Sequence, residues 1–170
     1  LIMILIITNK NDLHADAVID WLELWNKEYF RFHPDELATR YEVTTCNAGS
    51  SKMYVLVADN ESGRSFRTDL ILSVWNRRGL PPKAHPQSDP GCAVFFEAEL
   101  DASVQLIYSS LAHCFWVNRA DAITRANDKL QQLQMAALIG LRVPETMVTN
   151  SPRDAFGFYC QNEKSCIVKT

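Results

Sequence analysis

Two lysines stand where a regular element would hold them still. Lys129 follows Asp128 at the start of a helical pattern, and Lys169 follows Val168 at the end of a short apolar run. An ammonium fixed in this way is a compact point charge for an anionic group. Met singly in either setting, a lysine is an ordinary solvated cation. Arg77 and Arg78 close a second apolar run, and a guanidinium fork there suits a carboxylate or a phosphate. The plainer reading of the pair is a surface contact to nearby acids or to a second subunit, its stems lying on apolar surface.

Other titratable residues read as structural. Asp12 and Asp16 follow the first apolar run; an acidic pocket or metal site is one reading, and helix capping with solvation is the simpler one. The histidines, His14, His33, His85 and His113, are scattered. His113 falls on the apolar side of a helical pattern beside Cys114 and reads as satisfied and half-buried. The five cysteines, Cys46, Cys92, Cys114, Cys160 and Cys166, form no C-x-x-C pair. That argues against a disulfide framework or a zinc site and fits free thiols in a reducing cytoplasm. No G-x-G-x-x-G, P-loop or G-x-S-x-G is present, so neither Rossmann cofactors nor Walker or hydrolase chemistry is supported.

The elements that would position these residues follow from periodicity. Ile4 to Thr8 is a continuous apolar run, the pattern of a strand buried on both faces of a parallel sheet. Asp12 is a candidate N-cap for a helix whose stripe is Ala15, Val18, Ile19, Leu22 and Trp25. Tyr29 to Phe32 is a second short strand, completing a βαβ unit. Tyr41 to Thr68 reads as strands with a hairpin turn at Asn60-Glu61-Ser62-Gly63. Leu70 to Trp75 is another buried strand, with Trp75 more a core residue than a contact surface. Leu80 to Pro90 holds four prolines and reads as irregular. Cys92 to Cys114 carries Phe95, Phe96, Leu100, Val104, Ile107, Leu111 and Cys114 at helical spacing. Beyond a polar crossing at Arg119 to Arg125, a helix from about Asn127 to Ile139 stops at Gly140, a natural C′ residue. Thr146 to Thr149 and Ser165 to Lys169 are expected as strands, and Ser151 to Phe158 as loop. The fold class is α/β, a parallel-type open sheet flanked by helices, divided into residues 1–118 and 119–170.

The bulk numbers agree. At 170 residues, 47% hydrophobic, 22% charged and a formal charge of −3, the chain is globular with no basic nucleic-acid footprint. No stretch approaches the roughly 20 apolar residues of a membrane span. A chain ending on the last residue of a strand reads as the front part of something longer.

The closing block adds a resemblance. Asn127-Asp128-Lys129-Leu130, then Gly140-Leu141-Arg142-Val143-Pro144, then Ile167-Val168-Lys169-Thr170 resembles the opening of an ATP-grasp module. The resemblance implies nucleotide contacts from Lys129 and Lys169, with ATP and Mg2+ as cofactors and the metal ligands beyond residue 170. Met3-Ile4-Leu5-Ile6-Ile7-Thr8, Ser73-Val74-Trp75-Asn76-Arg77-Arg78, Phe115-Trp116-Val117-Asn118 and Arg125 to Gln134 are similar to the amino-terminal, pre-ATP-grasp region of microviridin-type peptide maturases. Asn76 departs from that pattern, which has an aromatic there. The maturase resemblance implies a ligase that joins side chains of a ribosomal precursor peptide by ester or amide bonds through an acyl phosphate, with a homodimer as its assembly. It places the glycine-rich phosphate loop, the adenine-binding strand and the magnesium-binding carboxylates beyond Thr170, leaving no catalytic residue within this chain. Two alternatives stay open: an ATP-grasp ligase that adds amino acids to a protein or peptide, and a non-catalytic flavodoxin-like or receiver-like binding module.

Overall fold

The computed structural model describes residues 3–47, 53–85, 89 and 91–168. They form two compact units, Leu1–Ile123 and Thr124–Thr170. In the first unit β1 (Met3–Ile7) is central and buried on both faces, as its unbroken apolar sequence requires: Leu5, Ile6 and Ile7 are inaccessible to solvent. Helix α1 (Leu13–Leu24) starts at Asp12, whose carboxylate accepts the N–H groups of His14 and Ala15, and leads to β2 (Tyr29–Phe32). A short helix α2 (Leu37–Arg40) precedes an antiparallel meander of β3 (Tyr41–Asn47), β4 (Met53–Asp59) and β5 (Ser65–Arg67). The turn between β4 and β5 ends at Gly63, whose φ of 67° is the left-handed conformation that glycine adopts without a steric penalty.

The chain then re-enters the first sheet. β6 (Ile71–Asn76) lies parallel to β1, with Ile4 opposite Ser73 and Ile7 opposite Asn76. Helix α3 (Ala93–Ser110) crosses to β7 (Phe115–Val117), which pairs with β6 in parallel. The order is β2-β1-β6-β7, all parallel. The main core lies between one face of this sheet, the meander and α3. Leu5, Ile7 and Phe32 meet Val55, Val57 and Phe66 there, with Val104 and Ile107 from the helix. Phe32 packs edge-on against Tyr41 and Phe66, with ring centroids 5.0 and 6.0 Å apart. A smaller core on the other face holds Ile6, Ala15 and Leu22, with Ile19 and half-buried Trp75 packed against it.

The second unit is helical. Helix α4 (Ala120–Ala126) runs across the division, followed by α5 (Lys129–Leu138) and α6 (Pro152–Gln161). As expected, Gly140 ends α5 at a φ of 82°. Its N–H bonds Ala137 O at 3.0 Å and that of Leu141 bonds Ala136 O at 2.9 Å, the pair of bonds that satisfies a helix's last carbonyls.

Three expectations need correction. Thr146 to Thr149 is not a strand, and neither are the described residues of Ser165 to Lys169; a strand needs a hydrogen-bonded neighbour, and among the described residues of this unit none is in register. Ser151 to Phe158 belongs to a helix. The Ser151 hydroxyl accepts the N–H of Asp154 at 3.3 Å, and Pro152 sits at the helix start, where its missing N–H costs nothing. The helix read over Cys92 to Cys114 is α3, and its first turns stay in solvent, Phe95 and Phe96 included.

Candidate functional site

Open parallel sheets present ligands at the carboxyl ends of their strands, where neighbouring connections leave in opposite directions. Here that place lies between β1, which continues toward β2 on one side, and β6, which continues toward β7 on the other. Its centre is Asp12, 2% exposed. The Thr8 hydroxyl donates to Asp12 Oδ2 at 2.8 Å, and the N–H groups of His14 and Ala15 donate to Oδ1 at 3.1 and 3.4 Å. Arg77 Nε stands 3.9 Å from Oδ2. Burial alone would raise this carboxyl, but the Thr8 hydroxyl, the two N–H groups and the Arg77 guanidinium together hold it below the ordinary carboxylate range.

The rest of the rim is built from the backbone. The N–H groups of Arg77 and Arg78 both donate to Ile7 O, at 2.9 and 3.3 Å. This draws the loop after β6 across the end of β1. Gly79 follows, and a Cβ there would stand 2.8 Å from Ile7 Cγ2, so the loop's path needs a glycine. On the other side buried His33 donates from Nδ1 to Thr8 O at 2.8 Å. Its burial lowers its pKa and keeps the ring neutral, against a smaller upward pull from the Thr8 carbonyl. Arg31 donates to Asn9 O and Lys10 O, each at 3.1 Å, and pairs with Asp16. The loop between β1 and α1 is thus pinned from both neighbouring strands.

Of the residues singled out in sequence, this site unites Arg77, Arg78 and Asp12. Arg77 is half-buried and turned to Asp12, while Arg78 is exposed at the rim. Lys129 lies in the second unit as the first residue of α5. Its ammonium donates to Gln132 Oε1 at 3.3 Å, and Asp128 caps the helix through the N–H groups of Leu130 and Gln131 at 2.9 and 3.2 Å. Lys169 lies outside the described residues. As one phosphate contact Lys129 fits chemically, being a cation on a capped helix start. Among the described residues there is no group of three or more His, Cys, Asp or Glu that could hold a metal ion. No helix among them is long and apolar enough to cross a membrane.

Two features escaped the sequence. The buried histidine is His33, not His113, which is exposed on the turn after α3; the alternating Tyr29 to His33 pattern was the available signal. The other is the fork of Arg40 on Asp59, with Nε to Oδ1 at 2.9 Å and Nη2 to Oδ2 at 2.8 Å. These bonds, with the Ser62 hydroxyl at 2.7 Å, hold Asp59 far below the carboxylate range and tie the turn after β4 to α2. The residues are 19 apart in sequence, with nothing local to announce them. All five cysteines are free, and burial pushes the Cys114 thiol up to about 11 while it donates to Ile71 O at 3.2 Å.

Fold and site place the first unit among the open-sheet α/β domains that carry their functional edge at the strand ends, with a carboxylate-capped loop and an arginine pair on the rim. Residues 3–124 match the family described as the MvdD pre-ATP grasp domain, and the chain belongs to that family. Among solved structures it is similar to macrocyclase MdnB from Microcystis aeruginosa MRC, at 27% identity and a TM-score of 0.84 over 96% of this chain and 52% of that one. It also shares its fold with macrocyclase MdnC from the same organism, a structure bound with precursor peptide MdnA (23% identity, TM-score 0.80, 95% and 50% covered). A third such structure is the Chryseobacterium gregarium RiPP-associated ATP-grasp ligase in complex with ADP and a leader and core peptide (23%, 0.80, 96% and 49%). The chain spans about half the length of these relatives. No match was found among curated protein sequences.

Proposed function

We propose that this chain is the front half of an ATP-dependent carboxylate–amine or carboxylate–hydroxyl ligase that cross-links a ribosomal precursor peptide. Residues 1–118 are its pre-ATP-grasp domain and residues 119–170 open its ATP-grasp domain. The observation that carries this reading is that similarity to macrocyclase MdnB runs over 96% of the chain, through both units and beyond the family match. ATP, with Mg2+ held by residues beyond 170, would supply the phosphoryl group that activates a precursor carboxylate. Lys129 and Lys169 would hold anionic oxygens of the nucleotide by charge-assisted bonds. Arg78, exposed on the rim, would meet a carboxylate or phosphate of the substrate, and Arg77, braced by Asp12, would keep that rim in place. The products are ester or amide rings in the peptide.

The test uses the intact protein with a candidate precursor peptide, ATP and magnesium, followed by mass spectrometry. Loss of one water per ring supports cross-linking; a gain of amino-acid mass points to the peptide-extending kind of ligase. Lys169→Ala and Lys129→Ala should each cut turnover on the order of a hundredfold or more, as loss of a charged transition-state contact does, with unchanged circular dichroism. Normal turnover in both variants refutes the assignment of these lysines.

A further inference from the structure

We infer that an extended peptide segment with a lysine or arginine at its centre docks along the outer edge of β2, as a further strand of the sheet. The inference is independent of the ligase reading and rests on neither Lys129 nor Lys169.

The sheet ends at β2, and among the described residues no strand pairs its far side. The N–H of Ile4 bonds Glu28 O, and that of Thr8 bonds Phe32 O. Even-numbered residues of β2 therefore turn their main-chain groups to β1, and odd-numbered ones turn theirs outward. Two of the outward groups are covered by side chains. Arg64 Nη2 donates to Tyr29 O at 2.6 Å, and the His33 N–H donates to the Tyr41 hydroxyl at 3.3 Å. Between them the N–H and C=O of Arg31 make no hydrogen bond among the described residues. An unpaired donor and acceptor on an edge strand are the template to which a further strand adds.

Space for that strand is present. A cavity of about 350 Å3 lies here, within the range of about 300–1,000 Å3 typical of ligand sites. Ile19, Asp20 and Tyr29 line it from the α1 side, and Arg40, Asp59 and Arg64 from the side of α2 and the meander. Tyr29 faces α1, where its hydroxyl meets Glu23, and Phe30 faces the core under the meander, yet both line the cavity. Only a space at the outer edge of the strand touches side chains from both of its faces.

The charges select the occupant. Arg31 is committed to Asp16, Asn9 O and Lys10 O, and Arg40 to Asp59 and Glu36. Arg64 holds Tyr29 O and lies over the Tyr29 ring, 5.5 Å from its centroid. Of the carboxylates in the lining, Asp20 has no partner among the described residues. A phosphate would meet arginines already paired and a bare carboxylate, whereas a cation is drawn in. A ligand residue paired with Arg31 puts its side chain on the same face of the sheet as that of Arg31. That is the α1 face, where Arg31 meets Asp16. The basic group of the ligand then reaches Asp20, and its stem lies on Ile19. Main-chain bonds to Arg31 and one charge-assisted contact to Asp20 thus specify an extended segment with a central basic residue.

The probe is the acetylated, amidated peptide Val-Thr-Lys-Thr-Val, titrated calorimetrically into the whole protein while hydrogen exchange is followed at the Arg31 amide. The expected result is saturable binding with slowed exchange at that amide. N-methylation of the peptide's lysine should abolish binding, because it removes the donor to Arg31 O. Asp20→Asn should weaken binding about tenfold or more, the loss of a charge-assisted hydrogen bond, with circular dichroism unchanged because Asp20 is exposed on α1. Glutamate in place of the peptide's lysine should weaken it at least as much. No binding at millimolar peptide, or binding indifferent to N-methylation or to Asp20→Asn, overturns the inference.

Discussion

Removing the Asp12 carboxylate, as Asp12→Ala, tests whether the rim is built as described. Three losses follow from the geometry. The cap on α1 goes, at about 1 kcal/mol and up to about 2. The Thr8 hydroxyl, fully buried and donating to Oδ2 at 2.8 Å, loses its acceptor, at about 1–3 kcal/mol. Arg77, 3.9 Å away and partly in solvent, adds little. The expected destabilisation is about 2–4 kcal/mol, read as a lower urea midpoint at unchanged slope. Asp12→Asn keeps an oxygen for the N–H groups of His14 and Ala15 and should cost only about 1 kcal/mol. Acid titration separates charge from cap. The Asp12 pKa is depressed in the folded protein, so its contribution is complete above the unfolded value of 3.8 and is lost as pH falls through the folded value. Asp12→Asn should remove that part of the acid limb. If Asp12→Ala costs less than about 0.5 kcal/mol, within the range of an ordinary surface change, or if the Ala and Asn variants are equal, the carboxylate does not organise this rim.

Two further outcomes are expected. Asp59→Ala removes the fork from Arg40 and the acceptor of the Ser62 hydroxyl and the Glu61 N–H, while Arg40 keeps Glu36 and Glu61; it should destabilise by about 2 kcal/mol, and a loss under about 0.5 kcal/mol in denaturant titrations would contradict the pairing. Because burial lowers the folded pKa of His33, the unfolded chain takes up its proton first, and stability should fall as pH drops below the ordinary value of 6.5 toward the folded one; a His33→Gln variant with the same slope in that window would show that another group is responsible.

Much of the fold was legible because it is written in local patterns. The unbroken Ile4 to Ile7 run reads as a strand buried on both faces, Asp12 could cap α1 from its place in the sequence, and Gly140 could end α5 because a left-handed residue is needed there. The same logic misled where local and long-range effects diverge. Phe95 and Phe96 continue the helical stripe of α3, but periodicity says which residues align and not whether anything lies opposite them. Thr146 to Thr149 has strand-like residues and, among the described residues, no partner strand beside it.

What the sequence by itself determined is the principal elements of the first unit together with α5, the parallel βαβ beginning and the family resemblance carried by the Trp-Asn-Arg-Arg, Asp-Lys and Val-Lys segments. Tertiary structure alone decided which charges stand free. It turned Arg77 inward to Asp12 and left Arg78 on the rim, chose His33 over His113 for burial, and joined Arg40 to Asp59 across 19 residues. The physical reason is that a charge's environment depends on which other groups surround it, and those neighbours come from elements far apart in the chain, brought together only when the hydrophobic faces of sheet, meander and helix close on one another.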